Sequence, residues 1–212
     1  GVRLVGSEMC IRDRYSSGTT GLPKAIVHGH GGILVEMLKK MHLHVDLHAD
    51  DRLFWFTTTG WMMWNFVVSA LTSDASVVLY DGNPGTPDLN VLWDLAEEAG
   101  ITCFGTSAAF IANCQKAGIR ASEGRDLSRL RSVGSTGSPL SPEGFAWVYE
   151  SIHEDIWLFS TSGGTDVGRG PAGSASGVPS GSSTAASPAI QSSPSWPKMT
   201  SSPAPPAIRS PP

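Results

Sequence analysis

Short apolar runs recur through the middle of the chain, at residues 53–56, 77–80, 101–104 and 156–159, with a further strand expected at 130–133. They are apolar throughout instead of alternating with polar residues, the pattern of parallel strands covered on both faces. Helical patterns lie between them. Ile33, Leu34, Met37, Leu38 and Met41 recur at helical spacing, with Glu36, Lys39, Lys40 and His42 on the opposite side. Leu89, Leu92, Trp93, Ala96 and Ala99 do the same after Thr86 and Pro87, a cap-then-proline start, and Phe145, Val148, Tyr149 and Ile152 follow the same signal at Ser141 and Pro142. Strand starts near 53, 77, 101, 131 and 156 leave about one crossover between neighbours. The expected fold class is therefore α/β, layered βαβ units with a mostly parallel sheet. Ligands of such sheets sit beyond the carboxyl ends of the strands, so a motif that carries chemistry should fall in a strand-to-helix loop.

Composition changes the picture at both ends. Residues 168–212 hold ten of the fifteen prolines, twelve serines and no acidic residue. That stretch has too little apolar surface to offset its ordering entropy and is expected to be disordered. Its abrupt onset is what a shifted reading frame in GC-rich coding sequence would give. Residues 1–14 show no period and are expected to be a non-native or unstructured leader. The informative chain is 15–167, with nine Lys/Arg against seventeen Asp/Glu. That balance argues against nucleic acid as a partner, and no apolar run is long enough to span a bilayer, so no membrane insertion is expected. Cys10, Cys103 and Cys114 lack CxxC spacing, which speaks against a disulfide framework and for a reduced, cytoplasmic domain.

Three segments meet the loop criterion. Residues 15–24 pack four hydroxyls (Ser16, Ser17, Thr19, Thr20), two glycines (Gly18, Gly21) and Lys24 into ten positions. Glycines bring backbone N–H groups close to an anion, and hydroxyls and an ammonium complete a phosphate cradle. This is not a Walker A loop, because Pro23 precedes Lys24 and Ala25 follows it. Composition alone equally fits a flexible Ser/Thr/Gly turn. Gly134, Ser135, Thr136, Gly137, Ser138 and Pro139 follow the strand at 130–133, and such small residues let a flat ring lie on the backbone; an ordinary Gly-rich connection fits as well. Ser160, Thr161, Ser162, Gly163, Gly164, Thr165 and Asp166 end the strand at 156–159. A hydroxyl beside a carboxylate can hold a phosphate oxygen and a hard cation such as Mg²⁺, and Thr-Asp is also a good turn or cap.

In this order the segments resemble the adenylate-forming enzymes, the AMP-binding acyl-CoA synthetase superfamily. Residues 15–24 are similar to that family's phosphate loop, and Gly163 to Asp166 to its later Thr-Glu motif, with Asp166 in place of Glu. Residues 54–66, 104–109, 133–149 and 162–167 resemble the branch that activates acetoacetate. The resemblance implies that residues 15–167 are part of the large N-terminal domain of such an enzyme. It implies ATP, Mg²⁺ and coenzyme A, with a carboxylic acid such as acetoacetate as the other small-molecule substrate. By matching position, Ser16, Ser17, Gly18, Thr19, Thr20, Gly21 and Lys24 would cradle the β- and γ-phosphates, and Gly137, Ser138 and Pro139 would line the adenine. Thr165 would bond the α-phosphate and Asp166 would hold Mg²⁺. Trp61, Met62 and Met63 would line the acyl pocket with Gly163 and Gly164. In acetate-activating members a Trp stands where this chain has Gly163, so Gly163 leaves room for a longer acid. The Met and Trp side chains equally suit plain core. The family's ribose-binding segment and adenylation lysine have no counterpart in this sequence, so the chain alone is expected to be inactive.

The histidines are less informative. His44 and His48 have metal-ligand spacing, but Asp46 and Leu47 between them suit a helix end on a solvated face. His28 and His30 flank Gly29 beside the phosphate loop, where a substrate-side role is open. Cys103 and Cys114 read as small buried hydrophobes.

Overall fold

Strands that are apolar along their whole length need cover on both faces, and the chain supplies it with helices on either side of one sheet. The computed structural model describes residues 11–15 and 25–163, with side chains from residue 28 onward. A hairpin comes first: β1 (Ile11–Tyr15) pairs antiparallel with β2 (Ala25–Gly29), and α1 (His30–Leu43) follows directly. Next come β3 (Arg52–Trp55), α2 (Met63–Ser69), a 3₁₀ turn (Ala70–Ser73) and β4 (Ser76–Val78). α3 (Val91–Glu98), β5 (Cys103–Ser107) and α4 (Ala108–Lys116) continue the alternation. β6 (Ser132–Thr136), α5 (Pro142–Ser151) and β7 (Trp157–Ser160) complete it. The central sheet runs β4-β3-β5-β6-β7 with every pairing parallel. The fold is the layered α/β arrangement expected from the apolar pattern.

The strand order dictates the layers. From β3 the chain steps outward to β4, then returns past β3 to lay β5 on its other side. Right-handed crossovers that travel in opposite directions put their helices on opposite faces. Two cores result. On one face Leu53, Trp55, Cys103 and Phe159 pack with Met41 of α1 and Met63, Phe66 and Val67 of α2. On the other, Phe54, Phe104, Val133 and Leu158 pack with Leu92, Trp93, Ile111 and Val148 of α3, α4 and α5. Successive strand residues therefore alternate between two apolar layers, and Trp93 stacks on Phe104 at 4.6 Å between centroids. Burial pushes the Cys103 and Cys114 thiols up to about 11, so both act as inert core groups.

The amino ends of three strands are tied by one carboxylate. Asp51, just before β3, accepts from Thr102 Oγ1 at 2.7 Å before β5, and from Arg131 Nε at 3.0 Å and Nη2 at 2.5 Å before β6. The His48 amide adds a fourth bond at 2.8 Å.

Several boundaries differ from the sequence reading. Ile11 to Arg14 belong to a strand, although residues 1–14 show no period; the pairing partner, β2, stands further along the chain and leaves no local signal. The strand expected at 130–133 is displaced to Ser132–Thr136, so Gly134, Ser135 and Thr136 are strand, not loop. Their ladder to β5 extends as far as Ser107 opposite Thr136. α3 begins at Val91, not after Thr86 and Pro87; Asp88 Oδ1 accepts from the Asn90 amide and Asn90 carbonyl from Trp93, which builds the first turn later. Lys40 is buried at 7% exposure rather than solvated, its ammonium 5.1 Å from the centre of the Phe66 ring. α2, which no periodicity announces, covers the sheet beside β3. The disordered tail expected at 168–212 lies outside the described residues.

Candidate active site

Strand order reverses between β3 and β5, and a crevice at such a reversal opens beyond the carboxyl ends of the strands. The residues that leave β3, β6 and β7 at this edge include the candidates Trp61, Met62, Gly137, Ser138, Pro139 and Gly163. On the face covered by α1 and α2, the register lines up Trp55, Gly105, Gly134 and Phe159 in one cross-strand row. Neither glycine has room for a side chain. A Cβ at Gly105 would overlap Cδ2 and Cε3 of Trp55, and one at Gly134 would lie 2.5 Å from Trp55 Cη2 and 2.8 Å from Phe159 Cζ. The Trp55 indole thus lies flat across two strands, edge-on to Phe66 at 5.0 Å. Two residues further on, roughly 6–7 Å along the strands, the same face turns polar. Ser107 pairs with Thr136 there, and Thr57 and Thr161 follow Trp55 and Phe159 at the same step. The edge is a hydroxyl rim above an aromatic floor.

The adenine candidates sit at this rim. Gly137 follows β6 with φ of +89°, a left-handed conformation that glycine adopts without strain, and stands next to Ser107. Ser138 and Pro139 are exposed beside it. Ser107 is otherwise engaged as the N-cap of α4, accepting from the Phe110 amide at 3.1 Å. Gly163 is exposed in the loop after β7, whose Thr161 amide donates to the Ser135 carbonyl at 2.8 Å. The acyl-pocket trio separates by burial. Trp61 is 64% exposed in the turn before α2, Met62 is half-buried, and Met63 is 9% exposed within the core that contains Trp55. Ser16, Ser17, Gly18, Thr19, Thr20, Gly21, Lys24, Gly164, Thr165 and Asp166 lie outside the described residues. The described chain does fix the frame around the first of these segments: Tyr15 opposite Ala25 closes the two strands that enter and leave it, and α1 starts five residues after Ala25.

Some polar atoms at this end of the sheet have no partner among the described residues. Trp55 Nε1, Thr106 Oγ1 and Ser135 Oγ are all buried without a hydrogen bond. Sequence reasoning missed Trp55, Thr57 and Ser107, because their convergence with Thr136 and Thr161 depends on register. A separate groove of about 500 Å³ runs between α1 and α2, lined by residues including Ile33, Met37, Asn65 and Val68, away from Gly137 and Gly163. His44 and His48 are exposed, His48 Nε2 lying 3.2 Å from Asp46 Oδ1. No described helix is long and apolar enough to cross a membrane.

The family model for AMP-binding enzymes matches residues 14–161, from the last strand residues before the phosphate-loop segment to the loop after β7. The chain belongs to the AMP-binding enzyme family. Its relatives include the acetoacetyl-coenzyme A synthetase of Rhizobium meliloti (strain 1021), 53% identical over 153 residues, which are 72% of this chain and 24% of that protein. The acetoacetyl-CoA synthetase of Gallus gallus is 48% identical over 153 residues, 72% of this chain and 23% of its own. Among solved structures, the acetoacetyl-CoA synthetase from Streptomyces lividans superposes with a TM-score of 0.71 at 53% identity, over 74% of this chain and 25% of that one. The chain thus spans about a quarter of the length of these AMP-binding relatives. The stretch matched by the family model includes every strand of the central sheet.

Proposed function

We propose that this chain is the nucleotide- and acid-binding segment of an acid–CoA ligase that activates acetoacetate as an acyl adenylate and transfers it to coenzyme A. The observation that carries the reading is the carboxyl edge of the sheet. Gly137 to Pro139, a rim of hydroxyls and the Trp55 ring lie together there, and the relatives are acetoacetyl-CoA synthetases.

The residues divide the work as follows. Ser16, Ser17, Gly18, Thr19, Thr20, Gly21 and Lys24 cradle the β- and γ-phosphates of ATP, and Gly137, Ser138 and Pro139 take the adenine face. Thr165 bonds the α-phosphate. The acid's carboxylate oxygen attacks the α-phosphorus, the bond to the bridging oxygen of pyrophosphate breaks, and the acyl adenylate stays at the carboxyl edge of the sheet. The thiol of coenzyme A then attacks the acyl carbon and AMP leaves. Such transfers are served chiefly by positioning and charge neutralisation, which hydroxyls, backbone amides and one lysine provide. Asp166 and Thr165 offer a carboxylate and a hydroxyl, hard oxygen donors that suit Mg²⁺, and among the described residues no group of His, Cys, Asp or Glu competes for it. The ion would neutralise phosphate charge.

The test is ATP–pyrophosphate exchange in the complete ligase that carries this segment, with acetoacetate, acetate and butyrate compared. Acetoacetate should give the highest kcat/KM; a preference for acetate or butyrate would overturn the assignment.

A further inference from the structure

The row Trp55, Gly105, Gly134 and Phe159 raises a question that the adenylation roles leave open: why two neighbouring strands give up their side chains at the same level. Glycine inside a strand weakens it unless something must approach the backbone closely. Here the approaching group is the Trp55 indole. Cγ, Cδ2 and Cε3 lie over Gly105, and Cη2 and Cζ3 reach on to Gly134. Trp55 is 4% exposed and is held by Phe66 edge-on at 5.0 Å and Phe159 at 6.1 Å. The ring is therefore fixed, and it fills the trough that the two glycines leave. That trough lies directly beneath the rim of Ser107 and Thr136, on the face where α2 brings Met62 and Met63.

We propose that Trp55 is the floor of the acyl pocket and sets the length limit of the acid. The inference rests on the ligase reading above. With the indole in place, an acid seated at the level of Ser107 and Thr136 has about one rung of the sheet, roughly 6–7 Å, before it meets the ring. That depth holds a short acid and stops a longer one. Without the indole, the space over Gly134 and then over Gly105 would open as a slot under α2. Trp55 is thus a specificity-determining residue, whereas Gly163 acts at the other, open side of the pocket.

The experiment measures kcat/KM by ATP–pyrophosphate exchange in the complete ligase for straight-chain acids of two, four, six and eight carbons and for the 3-oxo acids of four, six and eight carbons. Two variants grade the floor. Trp55→Phe keeps an aromatic ring over Gly105 and uncovers Gly134; Trp55→Leu uncovers both. The wild type should lose at least tenfold in kcat/KM from four to six carbons, in the range a methylene-sensitive pocket gives. Trp55→Phe should reduce that loss to within about threefold, mainly through KM, and Trp55→Leu should extend the gain to eight carbons. The KM for ATP should be unchanged in both, a split that a general loss of folding would not produce. Should Trp55→Leu fail to fold, Trp55→Phe alone decides. An unchanged length profile in Trp55→Phe, an equal loss for all acids, or a wild type indifferent to length overturns the floor and leaves the ligase standing. A wild type that activates no acid at all overturns both.

Discussion

At the amino end of the sheet Asp51 serves stability, and at the carboxyl end Gly163 is proposed to serve specificity. At the amino end, Asp51 is 4% exposed and its carboxylate accepts from Thr102, Arg131 and the His48 amide. Burial pushes its pKa up, but these hydrogen bonds and the charge of Arg131 outweigh burial, and the carboxyl titrates below its ordinary 3.8. A carboxyl lowered on folding contributes stability that is present above the unfolded pKa and lost as pH falls through the folded one. Asp51→Asn should therefore cost about 1–3 kcal/mol at neutral pH, with the half-exposed Arg131 keeping the figure below that of a fully buried pair. It should also flatten the acid limb of the stability curve below pH 4, read from urea unfolding at several pH values; parallel curves would mean that Asp51 contributes nothing there. At the carboxyl end, Gly163→Trp in the complete ligase should raise the acetate-to-acetoacetate ratio of kcat/KM at least tenfold, because an indole at the open side of the pocket takes the space of the two extra carbons. An unchanged ratio would separate Gly163 from the pocket.

The secondary-structure elements show which signals a sequence carries locally. α5 begins where Ser141 and Pro142 said it should: Ser141 Oγ accepts from the Gly144 amide at 3.1 Å and Pro142 opens the helix. Ser141→Ala should lower stability by about 1 kcal/mol and Ser141→Asp should restore it, both measured by thermal unfolding. Equal stability of all three would mean that the cap bond is not formed. Strands with apolar side chains, such as Leu53 to Trp55, were legible because the run itself is the signal. The ends of β5 and β6 were not, since Gly105, Thr106, Ser107, Gly134, Ser135 and Thr136 look like loop until their ladder is known. They are strand because each pairs with a neighbour and because Trp55 needs the two glycines beneath it. The same reason hid the floor and the rim of the site. Glycines, hydroxyls and Lys24 in residues 15–24 make a phosphate cradle conceivable from sequence, whereas Trp55 acquires its place only from register. α2 escaped notice for a different reason: seven residues carry too few turns to show a period, and Met63 and Trp64 suit core and pocket equally.

At the scale of the whole molecule, the matched region brings together only part of what an adenylate-forming enzyme needs for binding ATP. Residues 16–24, proposed as the phosphate cradle, are flanked by β1 and β2, whose pairing ends at Tyr15 and Ala25, and the proposed adenine seat follows β6. On that proposal the residues present address phosphate and adenine. The nucleotide's triphosphate should therefore dominate its affinity for this chain. A ligand that binds only the folded state stabilises it by RT ln(1 + [L]/Kd), about 1.4 kcal/mol at a tenfold excess over Kd. For a domain of this size that is a rise of roughly 3–6 °C in unfolding temperature. Millimolar ATP should produce that rise, and AMP and adenosine should produce much less, because they leave the cradle empty. Lys24→Ala should remove most of the ATP effect without lowering the unfolding temperature of the nucleotide-free chain, if phosphate is the partner of this ammonium. If adenosine protects as well as ATP, the binding energy sits at Gly137 to Pro139 and residues 16–24 are not the cradle. Protection that survives Lys24→Ala in full leads to the same conclusion by an independent route.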